Sequence, residues 1–202
     1  MKKLLTVALS IILVCSFCAC SKNKEQEKNS LPTHGTIDGS TYTNSFANIT
    51  FTAPEGWVFL SDSELLETID DTDVKITDEK LQSDFCDYGL AYDMTAYSEN
   101  LRTSVGLIFA NTEHEEFKGL STKDLLSEMI TQIGLDESGG ITEETVTICG
   151  DSYIRLCLTT KTGTGDTGYA TFYGRQKGSA VIMIVAACTD AFTVADCESC
   201  FS

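Results

Sequence analysis

Residues 180 to 187 form an unbroken apolar run, Ala-Val-Ile-Met-Ile-Val-Ala-Ala. A strand with one wet face alternates apolar and polar residues; a strand apolar at every position is buried on both faces and lies in the middle of its sheet. Such a strand needs neighbours, and the sequence supplies them. Tyr169 to Arg175 precedes it across Lys177-Gly178 in the manner of a hairpin. Further upstream, Val146 and Ile148 alternate on one run and Ile154, Leu156 and Leu158 on the next. If these apolar residues share one face, Ile148 opposes Ile154, Cys149 opposes Tyr153, and Gly150-Asp151-Ser152 forms the turn. Two more strand-like runs, Ala91 to Tyr97 and Ser104 to Asn111, are joined by a polar connection and read as another hairpin. The clearest helix starts at Ser121, where Leu125, Leu126, Met129, Ile130 and Ile133 fall on one stripe and Gly134 is placed to close the end. An amphipathic helix among strands lies on the sheet. A final helix is expected from about Ala191 to Phe201.

Before these elements, Tyr42-Thr43-Asn44 and Ile49 to Ala53 alternate as short strands, and Pro54-Glu55-Gly56 turns the chain into Trp57. Trp57, the single tryptophan, is expected to fill the core beside Phe59. Ser61-Asp62-Ser63-Glu64 is a capping box that starts a short helix with Leu65, Leu66 and Ile69 on its buried side. Asp70 to Glu79 is acidic and weakly periodic, hence a loop. Asp71 and Asp73 have the spacing of the first two ligands of a calcium loop, but Lys75 stands at the next ligand position and no glycine follows. Tyr-X-Asn, a short strand, then Pro-X-Gly-Trp before a helix resembles the opening of lipoproteins of Gram-positive bacteria and of the PsbP-like fold. The resemblance covers residues 42 to 57 and implies architecture alone. The expected fold is α+β, a mainly antiparallel sheet with helices packed on it.

The chain begins with Met1-Lys2-Lys3 and an apolar run from Leu4 to Phe17 interrupted only by Thr6, Ser10 and Ser16. That is the form of a secretory signal, too short for the about 20 residues that span a bilayer core. Phe17-Cys18-Ala19-Cys20 resembles the lipobox of bacterial lipoproteins, in which a small residue precedes a cysteine that takes a thioether-linked diacylglycerol. Ala19 fits before Cys20, whereas Cys18 and Cys15 follow the bulky Phe17 and Val14. The resemblance implies a signal peptide over 1–19, lipidation of Cys20, and a chain held on the outer side of the cell membrane. Residues 20–40 have few large apolar side chains and read as a flexible tether, leaving 41–202 as one domain.

The chain carries 30 Asp and Glu against 14 Lys and Arg, a net charge of -16, and losing Lys2 and Lys3 with the leader makes the exported part more acidic still. Such a surface repels phosphate backbones and anionic lipid headgroups, which excludes nucleic acid as a partner and leaves docking to the acyl chains.

Of the nine cysteines, Cys15 and Cys18 go with the expected signal peptide and Cys20 with the lipid; the remaining six are Cys86, Cys149, Cys157, Cys188, Cys197 and Cys200. They read mainly as small buried hydrophobes, with a disulfide among them as the second reading and a redox Cys197-X-X-Cys200 pair as the third. A thioredoxin-like pair belongs at a helix N-terminus, and this one lies near a C-terminus. A four-ligand zinc site needs a second such pair. The two histidines, His34 in the tether and His114 in an acidic connection, offer little to a nucleophile, and Gly-X-Ser-X-Gly is absent. The sequence therefore points to no catalytic residue, cofactor or metal. It points to a non-catalytic binding or assembly module of the cell envelope, whose partner is an envelope protein or a small ligand. A solute-binding lipoprotein serving a transporter and a thiol-redox lipoprotein are the other readings.

Overall fold

The computed structural model describes residues 30–68, 71, 73, 75–133, 140–161 and 167–202, the side chains of 160 and 161 excepted. Strands β1 (Thr36–Asp38), β2 (Thr41–Asn44) and β3 (Ile49–Thr52) form a small antiparallel sheet in that order. β4 (Trp57–Phe59), β5 (Leu90–Ser98), β6 (Ser104–Asn111), β7 (Ile141–Ile148), β8 (Asp151–Lys161), β9 (Thr167–Lys177) and β10 (Ala180–Thr189) form a seven-stranded sheet ordered β4-β5-β6-β10-β9-β8-β7. Every pairing in it is antiparallel. The helices are α1 (Asp62–Glu67), α2 (Asp78–Asp87), α3 (Thr122–Ile133) and α4 (Val194–Ser199). The fold is α+β and mainly antiparallel.

The unbroken apolar run is the middle strand, as its composition requires. Ala180, Ile182, Ile184, Ala186 and Cys188 of β10 face one core, and Val181 and Met183 face the other. On the second side α3 lies across β8 and β9, its Leu125, Leu126, Met129 and Ile130 meeting Leu156, Leu158 and Phe172. On the first side the small sheet brings Tyr42, Ile49 and Phe51, while α1, α2 and α4 add Leu65, Leu66, Leu81, Phe85 and Cys197. Trp57 is half-buried there between Phe51 and Phe192, its ring 6.3 and 5.1 Å from theirs. It fills core, as expected.

Two burial faces also explain a departure in register. Ile148 pairs with Asp151 and Val146 with Tyr153, not Ile148 with Ile154, so the turn is the two residues Cys149-Gly150. Both have positive φ, 50° and 82°, the geometry of a tight primed hairpin turn that usually advertises itself as Asn-Gly. An odd shift of register exchanges the faces. Val146 and Ile148 thus join Tyr153 in the first core, while Leu156 and Leu158 serve the second. The premise that all five share a face fails because β8 is covered on both faces, with Tyr153 in one core and Leu156 and Leu158 in the other.

Three further expectations change. The tether does not extend to residue 40: Pro32 and Gly35 are buried, and Thr36 to Asp38 pair with β2. The loop expected over Asp70 to Glu79 gives way at Asp78 to α2, started by Thr77, whose hydroxyl accepts from the Lys80 amide at 3.2 Å. The last helix is shorter than Ala191 to Phe201, because Thr193 and Asp196 cap it reciprocally and Cys200 ends it. Gly134 and Ile69 lie outside the described residues.

α3 sits close on the sheet because β9 has no side chain under it at Gly174, where a Cβ would lie 2.6 Å from Thr122 Cγ2 and 3.1 Å from Leu126 Cδ1. Gly174→Val is expected to lift the helix and cost about 1–3 kcal/mol, read as a lower denaturation midpoint at unchanged m-value.

Candidate functional site: a buried aspartate and the groove beside it

Strand β5 carries a bulge between Tyr92 and Met94: Tyr92 pairs with Ile108 and Met94 with Leu107, leaving Asp93 as the extra residue. A bulge re-aims a side chain, and here it turns a carboxylate into the space between the two sheets. The Asp93 side chain is fully buried. Buried carboxylates require donors, and four residues provide them. His34 Nδ1 donates to Oδ1 at 2.5 Å, Asn44 Nδ2 to Oδ2 at 2.7 Å, and the Gly35 amide to Oδ1 and Oδ2 at 3.2 and 3.3 Å. The Tyr42 hydroxyl donates to Oδ2 as well.

Two of these donors come from the segment entering the fold and two from the second strand after it. Tyr42 and Asn44 alternate inward on β2, whereas His34 and Gly35 precede β1. Gly35 has to be glycine, since a Cβ there would collide with the Tyr42 ring. Asn44 also donates to the Thr33 carbonyl at 2.8 Å and accepts from the Ala47 amide at 2.7 Å. Gln82 of α2 holds the Pro32 carbonyl at 3.1 Å, and the His34 amide donates to Asp78 at the start of α2 at 2.6 Å. The entering segment is therefore strapped to the body from Pro32 onward.

Electrostatics follow from this crowding. The hydrogen bond to Asp93 raises the His34 pKa above its ordinary value against the opposing effect of burial, helped by the charges of Asp93, Asp62 and Asp78. Burial, then the Asp93 charge, holds the Tyr42 phenol protonated far beyond its usual range. His34 Nε2 faces Asp62 at 4.0 Å.

Beside this strap runs an open groove of about 510 Å³, lined by His34, Thr36, Thr43, Asn48, Thr50 and Cys149 among others. Thr36, Thr43 and Thr50 are register partners across β1, β2 and β3, on the face opposite Tyr42, and Thr36 and Thr43 join their hydroxyls at 3.0 Å. Asp38, Thr41 and Thr52 form the next row on that face. In a chain with 30 acids, no Asp or Glu is among the described residues lining the groove.

The small sheet is fastened at two other places. Arg175 Nη2 and Lys177 Nζ donate to the Ala47 and Phe46 carbonyls at 2.6 and 2.8 Å. Phe201 bridges to Phe51, with ring centroids 5.1 Å apart.

Of the residues singled out from sequence, Cys20 lies outside the described residues. Asp71 and Asp73 meet Lys80 at 2.6 and 3.8 Å, a cation supplied by the chain itself. Cys86 is exposed, against its reading as a buried hydrophobe, because Leu81 and Phe85 take the inner face of α2. Cys188 and Cys197 are fully buried, and Cys149, Cys157 and Cys200 half-buried. Asp93 is the residue the sequence did not mark, and His34, read as part of the tether, is its partner at 2.5 Å. Their separation of 59 positions leaves no local signature, and an aspartate in an otherwise apolar strand was the one available signal.

No protein-family model matches the chain, and no curated protein matches it. Among solved structures, the solution structure of cyanobacterial PsbP (CyanoP) from Synechocystis sp. PCC 6803 is similar at a TM-score of 0.44 and 13% identity, over 83% of this chain and 97% of that one.

The geometry sets two expectations. Asp93→Ala leaves buried donors without an acceptor and should cost about 3 kcal/mol or more in denaturant unfolding. Because the His34 pKa is raised on folding, its contribution is complete below the unfolded value of about 6.5 and disappears as pH rises through the higher folded value. His34→Gln should flatten that alkaline decline in stability while leaving the acid limb in place.

Proposed function

We propose that this chain is a lipid-anchored, extracytoplasmic binding module without catalytic activity, whose groove takes an uncharged, hydrogen-bonding component of the cell envelope. The lining of the groove carries the reading. Threonine hydroxyls and the Asn48 amide offer both donors and acceptors, and His34 is the one basic side chain on it. Charged ligands have little to gain there, whereas hydroxyl- or amide-rich ones find partners in register with the strands. His34 Nε2 looks toward a carboxylate instead of a hydroxyl or thiol, which supports a clamp over a general base.

The leader supports the location. Lys2, Lys3, the apolar run and Ala19-Cys20 have the form that directs export and acylation. With the body strapped down from Pro32, only about a dozen residues separate it from Cys20, a reach of roughly 40 Å at most. His34 follows two residues later, so in this reading the groove lies at the end of the domain that the tether enters. The PsbP-like reading of the domain rests on Tyr42 to Trp57 and belongs to this proposal. A small uncharged solute is the second reading. It is favoured by the groove volume of about 510 Å³, which falls within the roughly 300–1,000 Å³ of small-molecule sites.

Mass spectrometry of native material should find Cys20 as the first residue, carrying diacylglycerol; an unmodified Cys20 or a retained Met1 would contradict the anchor. For the groove, uncharged oligosaccharides and neutral peptides should raise the melting temperature of the wild type and not of Thr43→Glu. A panel that shifts neither protein, or shifts both equally, would contradict the assignment.

A further inference from the structure

Strand β10 ends in Cys188-Thr189, and α4 begins five residues later. The connection is tightly made. Thr189 N donates to Phe192 O at 3.0 Å and Phe192 N to Thr189 O at 3.2 Å, a closed corner that fixes where the helix starts. Thr193 then caps the helix, its hydroxyl accepting from the Asp196 amide at 3.2 Å. The corner returns the chain against its own strand. As a result Cys197, 0% exposed and the buried residue of α4, packs into the same core cluster as Cys188, 2% exposed, at the end of the strand on which α4 rests. Cys200, three residues on, points elsewhere and donates to the Asp196 carbonyl at 3.3 Å. The Cys-X-X-Cys spacing thus does not describe the pair that the fold assembles.

We propose that Cys188 and Cys197 close into a disulfide when the folding chain meets a disulfide oxidant, stapling α4 to the central strand. The oxidant is a low-molecular-weight disulfide or the active-site disulfide of a thiol oxidase. One chain thiolate attacks a sulfur of the oxidant, forming a mixed disulfide and releasing one thiolate; the second chain thiolate attacks the chain sulfur of that intermediate and releases the other. Two cysteine thiols lose two protons and two electrons, and the oxidant's disulfide becomes two thiols. Burial in the finished core places the exchange before α4 docks.

The staple has a structural consequence beyond its own loop. Directly after α4, Thr52 N donates to Cys200 O at 2.9 Å and Ser202 N to Thr50 O at 3.1 Å, so the helix leads straight onto the edge of the small sheet. Fixing α4 to β10 therefore fixes that edge, and with it Thr50 of the groove.

The test uses the full chain in detergent, reduced and unfolded, then refolded over a glutathione redox buffer. Cleavage before Asp190 and Asp196 and after Glu198 puts Cys188, Cys197 and Cys200 on separate peptides. The expected result is a peptide pair joining Cys188 to Cys197, lighter by two hydrogens than its reduced form, and retained in Cys200→Ser. Reduction should lower the melting temperature by roughly 5–10 °C, a shift absent from the Cys188→Ala/Cys197→Ala double variant. Full alkylation of both cysteines after refolding, or linkage of Cys197 to Cys200 instead, would overturn the proposal. Because refolding supplies its own oxidant, the outcome is independent of whether Cys20 is acylated.

Discussion

A single buried carboxylate governs how the two sheets of this protein meet. Asp93 is the extra residue of a bulge, and its position between the layers is tolerable only while His34, Gly35, Tyr42 and Asn44 donate to it. Removing a charge of this kind from water is expensive, and the expense is met only by a complete set of donors. The donors therefore have to arrive together. That requirement fixes the register of β2, excludes a side chain at residue 35, and draws the entering segment onto the body at a point the hydrophobic pattern alone would leave loose.

The same constraint shapes the surface. Because Tyr42 and Asn44 turn inward, Thr41 and Thr43 turn outward, and the pairing to β1 and β3 sets Thr36, Thr50 and Thr52 beside them, with Asp38 as the fourth neighbour. The groove is thus the outer side of the strand whose inner side feeds Asp93. Cations are used sparingly elsewhere: Arg175 and Lys177 secure the β2–β3 turn, Lys80 gathers Asp71 and Asp84, and Arg155 lies between Glu144 and Glu198. Many of the few positive charges are spent inside the domain, which leaves its outside strongly acidic. On that acidic surface the groove stands out because its described lining carries no Asp or Glu.

What the sequence disclosed and what it concealed separate along physical lines. Periodicity and continuous burial are local properties, and they identified β10 as the middle strand, α3 as a helix on the sheet, and the hairpins of β5–β6 and β9–β10. Capping chemistry is local too, and Ser61 marked α1. Register across β7–β8 was misjudged because it depends on whether one face or both are covered, which the distant helix α3 and small sheet decide. The start of α2 was missed because its acidic first turn and modest apolar content look like loop until Leu81 and Phe85 are seen to have a core to enter. The Asp93 site was invisible because its members are scattered over the chain from His34 to Asp93, each unremarkable alone. A lone aspartate between Tyr92 and Met94 in an apolar strand was a flag, but nothing nearby said what would satisfy it.

The account stands on the claim that Asp93 makes the entering segment and the small sheet one cooperative unit with the large sheet. Native-state hydrogen exchange on the full chain reads this directly. The amides of Gly35, of the paired residues of β1 and β2, and of central β10 should exchange with the same free energy of opening, and in Asp93→Asn those of residues 35–44 should open at lower cost while β10 keeps a common, higher value. Rapid exchange of residues 35–44 in the wild type, with β10 still protected, would contradict the account.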